Sequence, residues 1–281
     1  MSKAVKERFY PVAMTIAGTD SGGGAGVAAD LRTFNALGVF GTCAVTAVTA
    51  QNPAAVRRID PVPAAGITAQ IDAVMENIAV AFCKTGMLFS AEAVTAVAEA
   101  VKKHHLKIVC DPVMVSTSGS RLLQNDAIEA VKNQLLPLAA WITPNLPEAE
   151  LLLDKKISGI DDMADAAAEL SRRFNCSVLL KGGHDTSANC VDIVVRDGKK
   201  FTLTTPRLEI EPFASHGTGC TLSAALAATL ALGMPWKQAL CESRAFVYGS
   251  LAQPVPIGKK ITAMYPPVED SIQLVKLAEM E

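Results

Sequence analysis

Short β-branched runs alternate with longer alanine-rich stretches along the whole 281-residue chain, and that alternation limits the fold more than any other feature. Val12 to Ala17, Thr42 to Thr49, Ala81 to Thr85, Leu106 to Cys110, Trp141 to Thr143 and Ser177 to Lys181 read as strands. Val27 to Leu37, Gly66 to Met75, Ser90 to about His104, Asn125 to Leu135, Asp161 to Phe174, Thr221 to Leu232 and Trp236 to Ser250 read as helices, with a short helix starting at Glu148. Strands that alternate with helices pair in parallel, so the pattern predicts an α/β fold with a mostly parallel central sheet and helices on both faces. Val191 to Val195 and Lys200 to Thr204 flank Asp197-Gly198, the signal of one antiparallel hairpin late in the chain. Hydrophobic residues make up 50% of the chain but aromatics only 5%, so Ala, Val, Leu and Ile carry the apolar content, which suits helices on a buried sheet. No repeat or Pro/Gly/Ser-rich linker divides it. One domain over 1–281 is expected, with 1–10 as an N-terminal extension and 251–281 as a separate tail.

Several function classes drop out on charge and cysteine pattern. The 26 basic and 28 acidic residues leave a formal charge of -2 with no basic stripe, so nucleic acid is not an expected partner. The seven cysteines, Cys43, Cys83, Cys110, Cys176, Cys190, Cys220 and Cys241, contain no C-x-x-C pair, which argues against structural zinc and thioredoxin-like chemistry. No apolar run is long enough to span a bilayer, and the N-terminus lacks the apolar core of a secretory signal. The expected location is the cytoplasm, with no membrane partner.

Polar and glycine-rich clusters follow the predicted strands, where open parallel sheets bind ligands. The first, Gly18-Thr-Asp-Ser-Gly-Gly-Gly-Ala-Gly26, fails as a dinucleotide fingerprint because Val27 stands where the last glycine belongs. It fails as a P-loop because no Gly-Lys-Ser/Thr follows. It is either a tight strand–helix turn or a loop bringing backbone close to a small ligand. His216-Gly-Thr-Gly-Cys220 leads directly into an apolar helix, so the amides of Gly217, Thr218, Gly219 and Cys220 are expected at a helix N-terminus, a natural phosphate site. The same location would lower the pKa of the Cys220 thiol. Asn145-Leu-Pro-Glu148 could orient waters around Mg²⁺ or could simply start a helix. Lys181, ending a strand before two glycines, suits a phosphate tail. His104, His105, His184 and, taken alone, His216 read as structural.

In this order the clusters resemble the ribokinase-like superfamily, and within it the hydroxymethylpyrimidine/phosphomethylpyrimidine kinases of thiamine biosynthesis. The residues that carry the resemblance are Ala17 to Gly26, Thr49-Ala-Gln-Asn52, Lys84-Thr-Gly-Met-Leu88, Asp111-Pro-Val-Met-Val115, Thr143 to Glu150, Lys181-Gly-Gly-His184 and His216 to Ser223. The resemblance spans about Pro11 to Ser250. It implies a ribokinase-like fold and transfer of the ATP γ-phosphoryl, with Mg²⁺, to the pyrimidine alcohol and then to its monophosphate. It places Gln51, Asp30, Gly18, Met87, Met114 and His216 at the pyrimidine, and the 217–220 amides around the transferring phosphoryl, with Cys220 as base. It also implies Lys181, Asn145 and Thr218 at the ATP phosphates, Glu148 at the metal through water, Asp111 as a further metal candidate, and a homodimer. Pyridoxal kinases share the His-Gly-Thr-Gly-Cys loop and form the alternative, with a non-catalytic vitamin-binding regulator as a third reading. The chain departs from the family pattern at Val27-Ala28, at Ser120 and in the tail from Ile257 to Asp270.

Overall fold

The computed structural model describes residues 10–114, 125–183, 188–210, 213–259 and 261–280. The chain runs β1 (Val12–Ala17), α1 (Gly26–Ala36), β2 (Phe40–Val45), β3 (Ala47–Asn52), β4 (Ala55–Pro61), α2 (Ala64–Met75), β5 (Val80–Thr85) and α3 (Ala91–Lys103). It continues through β6 (Ile108–Cys110), α4 (Asn125–Ala130), β7 (Ala139–Ile142), α5 (Leu146–Leu153), α6 (Gly159–Phe174) and β8 (Ser177–Leu180). The last elements are β9 (Asn189–Arg196), β10 (Lys199–Pro206), α7 (Thr218–Ala231), α8 (Trp236–Ala252), β11 (Val255–Gly258), β12 (Ile261–Ala263) and β13 (Lys276–Glu279).

One nine-stranded sheet has the order β13-β10-β9-β8-β7-β6-β5-β1-β2. From β8 to β2 all pairings are parallel, and β9, β10 and β13 add antiparallel strands at one side. Along each strand, side chains alternate between two cores, as the period of two demands. Met14, Ile108, Val178 and Ile193 face the core built with α2 to α6, while Ala13, Val109, Leu179 and Val194 face the one built with α1, α7 and α8. α7 is apolar on nearly every side because it lies between the sheet and its neighbouring helices. The strand order reverses between β1 and β5: β2 lies to one side of β1, and β5 to β8 follow on the other. The carboxyl ends of β1 and β5 therefore open a crevice at that switch point.

Three local readings are corrected. The run from Thr42 to Thr49 is two strands, because the chain turns at Thr46, whose N–H donates to Ala17 O at 3.0 Å and whose hydroxyl donates to Met87 O at 2.6 Å. β3 then leaves the main sheet and pairs with β4 as a flap, a second hairpin absent from the sequence reading because Arg57, Arg58 and Asp60 made β4 look like loop. The helix expected to Leu135 is α-helical only to Ala130. It widens into a π turn over Val131–Leu135 and ends in a 3₁₀ turn over Leu136–Leu138, where Pro137 lacks the N–H that a continued helix needs. The tail, which had no assigned contacts, forms the β11–β12 hairpin and then adds β13 to the edge of β10. Val115, Ser120 and His184 lie outside the described residues.

Candidate active site

A cavity of about 470 Å³ opens at the carboxyl ends of β1, β5, β6, β7 and β8. Gly18, Gln51, Met87, Met114, His216, Gly217, Thr218, Gly219, Cys220, Lys181, Asn145, Glu148 and Asp111 all line it, as the sequence led one to expect. Asp30 does not, and this corrects its assignment to the pyrimidine pocket. It lies one helical turn inside α1, fully buried, where its carboxylate accepts from Thr15 Oγ1 at 2.6 Å and pairs with Lys84 Nζ at 2.8 Å.

One wall is built chiefly of backbone. After β1 the chain is fixed by Gly18 N–H donating to Met87 O (3.1 Å) and Thr19 N–H to Ala47 O (2.9 Å). The flap is tied to the loop through Ser21, whose hydroxyl donates to Gln51 O and accepts from Gln51 N–H, both at 2.8 Å. This leaves the half-buried Gln51 side chain facing the cavity, with Nε2 3.4 Å from His216 Nε2. His216 is oriented by Asp20: the ring Nε2–H donates to Asp20 Oδ2 at 2.8 Å. The same carboxylate accepts the N–H groups of Gly22 (2.8 Å) and Ala25 (2.9 Å), so Asp20 gathers the glycine loop around the histidine. The sequence singles out Asp20 only as a member of the glycine loop. An acid between a strand end and a glycine run was the available signal.

The opposite wall is made of buried charge and a helix start. Gly217 precedes α7 with φ 87°, and a methyl there would run into the carbonyl oxygen of Gly24, so the two glycine loops touch directly. In the first turn, Thr218 N–H is committed to Ser215 O at 3.2 Å and its hydroxyl to the same oxygen at 3.0 Å. The expectation of four free amides is corrected accordingly: Thr218 is spoken for, and Gly219 and Cys220 supply the first-turn N–H groups that have no acceptor within their own helix. Gly219 lies against Lys181, since a Cβ on it would stand 3.1 Å from Lys181 Nζ.

Lys181 pairs with Asp111 Oδ1 at 2.9 Å. Burial opposes the Lys181 ammonium, but Asp111 and Glu148 beside it outweigh that and hold its pKa above the usual lysine value. Asp111 also accepts from Thr143 Oγ1 (3.2 Å) and Ser223 Oγ (3.3 Å), so both of its oxygens have partners. Of the two readings of Asn145 and Glu148, the helix start is the one the structure shows. They form a reciprocal cap of α5, with Glu148 N–H donating to Asn145 Oδ1 and Asn145 N–H to Glu148 Oε2, each at 2.9 Å, while both line the cavity. Burial pushes Glu148 up to about 7; Asp111 adds to the shift, and Lys181 with the N–H groups of Asn145 and Met114 works against it.

Cys220 is where the sequence argument fails in sign. Burial pushes its thiol above the ordinary value, with Asp30 and Asp111 adding to the effect, while Lys84 and the Gly26 N–H pull it down. Desolvation here outweighs the Lys84 charge and the Gly26 N–H. Lys84 also lines the cavity; in the sequence it stands only within a motif, although a lysine near the end of an apolar strand is itself a signal.

A second cavity of about 360 Å³ adjoins the first and shares Lys181, Gly182, Thr218 and Gly219 with it. Among the described residues no group of three or more His, Cys, Asp or Glu is arranged to hold a metal, and no helix is long and apolar enough to cross a membrane.

Comparison with known proteins bears on this geometry. The sequence profile of the phosphomethylpyrimidine kinase family matches residues 20–265. A hydroxymethylpyrimidine/phosphomethylpyrimidine kinase of Haemophilus influenzae is 45% identical over 253 residues, covering 88% of this chain and 93% of that protein. One from Rhizobium meliloti is 43% identical over 242 residues, covering 86% and 90%. Among solved structures, Staphylococcus aureus pyridoxal kinase in complex with pyridoxal superposes with a TM-score of 0.86 at 29% identity, over 97% of this chain and 100% of that one. Phosphomethylpyrimidine kinase from Clostridium difficile superposes with a TM-score of 0.74 at 39% identity, over 84% and 97%.

Proposed function

The chain belongs to the phosphomethylpyrimidine kinase family, and from that premise and the cavity's two walls we propose that it moves the ATP γ-phosphoryl to the primary hydroxyl of 4-amino-5-hydroxymethyl-2-methylpyrimidine. A second transfer, to the monophosphate, yields the pyrophosphate that enters thiamine biosynthesis. The observation that carries the reading is that Gln51 and Cys220, on different walls, line one cavity with Lys181.

Gln51 offers both a donor and an acceptor, which suits an aminopyrimidine edge. The nucleotide occupies the adjoining cavity, so its phosphates reach the shared residues Lys181 and Gly219. Transfer passes through a loose transition state in which positioning and charge stabilisation dominate. The first-turn amides of α7 hold the transferring group, and Lys181 steadies the phosphate tail. As the substrate oxygen bonds to phosphorus and the bond to ADP breaks, the hydroxyl proton passes to Cys220 Sγ. Only the thiolate form of Cys220 can take that proton, so turnover follows the thiolate fraction.

The donor set fits Mg²⁺ held largely through its own waters: Glu148 is a buried hard-oxygen donor crowded by Asp111, and a dication relieves that crowding. Glu148 would hold it, with the Asn145 side chain beside it. When bound, Mg²⁺ supplies charge neutralisation at the phosphates.

Pyridoxal is the second acceptor to consider, because the Staphylococcus aureus pyridoxal kinase covers 97% of this chain against 84% for the Clostridium difficile enzyme. Incubation with ATP, Mg²⁺ and equal pyrimidine and pyridoxal separates the readings. Pyrimidine monophosphate followed by the diphosphate is expected; pyridoxal phosphate alone would replace the pyrimidine assignment. The enzyme works in the cytoplasm as a homodimer of one-domain subunits, and a monomeric mass by light scattering would remove the dimer.

A further inference from the structure

The base assigned to Cys220 sits where burial opposes a thiolate, so something in the protein has to offset that burial. Cys220 is in the first turn of α7, which packs on α1 and on β5. At the end of β5 is Lys84, fully buried yet part of the cavity wall that Cys220 shares. Its Nζ is 2.8 Å from Asp30 Oδ2 on α1, and a Cβ on Gly86 would stand only 2.8 Å from that Nζ, so the ammonium is boxed in at the strand end. The second carboxylate oxygen, Asp30 Oδ1, is buried without a hydrogen-bond partner. Despite burial, Asp30, Cys220 and Asp111 hold the Lys84 ammonium well above the usual lysine range, so it stays charged. The charged or polar groups facing Cys220 are Lys84, Asp30, Asp111, Lys181 and the Gly26 N–H.

We propose that the Lys84–Asp30 pair is a positioning device for Cys220, in which Lys84 supplies the counter-charge for the thiolate and Asp30 anchors that ammonium while limiting how much of its charge the thiolate feels. In a desolvated setting an adjacent opposite charge favours the ionised form far more than it would in water. Lys84 keeps its protons throughout: the substrate proton goes to Cys220 Sγ, which turns from thiolate to thiol as the new O–P bond forms. The proposal rests on the base assignment above.

Its mark is a pair of substitutions with opposite signs. Removing the anchor in Asp30→Asn takes away both the Lys84 carboxylate partner and an anion that opposes the thiolate, and the thiol midpoint falls. Replacing both, in Lys84→Met/Asp30→Asn, removes the cation without stranding a buried carboxylate, and the midpoint rises by about one pH unit, a tenfold drop in thiolate at fixed pH. The readout is the pH dependence of iodoacetamide labelling of substrate-free enzyme. It is measured by mass spectrometry on the Cys220 peptide, because the chain has seven cysteines. Circular dichroism melts report whether each variant is folded. Midpoints that stay put, or move in the same direction in both folded variants, overturn the proposal. The kcat/KM profile is recorded in parallel. If labelling shifts as expected and turnover does not follow, the coupling stands and the base assignment falls.

Discussion

The two walls of the cavity are built on opposite plans. The acceptor wall is backbone and loop: strand ends, a glycine run gathered by Asp20, and a flap whose outer face exposes Val48 at 52%. The phosphate wall is a set of interlocked buried charges, Lys181 with Asp111 and Glu148 inside a helix cap, against the first turn of α7. Buried charges need fixed partners, because losing one strands the other. Loops are more easily rebuilt, and in the proposed function they are the wall that meets the acceptor.

Substitutions on each wall test the division, and the largest effects belong to the phosphate side. Cys220→Ala is expected to lower kcat with the alcohol acceptor by about 10²–10⁴ and leave the ATP KM nearly unchanged, while Cys220→Asp retains more activity than Ala. A near-silent Ala variant in steady-state assays would make the thiol structural. Gly219→Val puts a side chain against Lys181 and should cost about 10²-fold or more in both transfers, the scale of a lost transition-state donor. Damage to only one transfer would mean that the two do not share this wall.

Across the cavity, Gln51→Ala should raise the pyrimidine KM about tenfold, the cost of one or two hydrogen bonds to a buried ring, with the ATP KM unmoved. A rise in the ATP KM instead would break the division of labour. The mildest effect is on pH. Because burial raises the Cys220 thiol above its ordinary 9.0, kcat/KM should keep climbing past pH 9. The native state holds that proton more tightly than the unfolded chain, so stability should decline above the same pH in urea titrations. A plateau reached below pH 8.5 would show that the thiol is lowered after all.

The phosphate wall was legible in the sequence because its residues sit at strand ends and at a glycine-initiated helix, places that local pattern marks. The acceptor wall was legible only in its motifs. β4 carries Arg57, Arg58 and Asp60 on an exposed flap, so no apolar alternation marked it, and the turn at Thr46 depends on distant carbonyls of Ala17 and Met87. Asp30 was misplaced for a related reason. Spacing located it one turn into α1 but could not say that the side chain turns inward, toward Lys84, which is 54 residues away in sequence. The direction of the Cys220 shift had the same origin: a helix start is visible in sequence, whereas the burial that raises the thiol depends on what packs around it.

The short strand that closes the chain's tail bears on solubility. β13 covers the outer side of β10, an eight-residue strand that would otherwise present a row of unpaired N–H and C=O groups. Such a row invites pairing with a second molecule. β13 substitutes a four-residue edge whose end residues, Lys276 and Glu279, are exposed charges, and Lys199 Nζ pins Glu279 at 2.7 Å. A chain truncated before Lys276 should therefore keep its per-molecule turnover, since β13 pairs with Phe201 to Thr204 of β10 and lines neither cavity, and lose colloidal stability instead, with light scattering rising at concentrations where the longer chain stays clear. Loss of turnover in the freshly purified, non-aggregated fraction would mean that the edge strand supports the site as well as guarding the sheet.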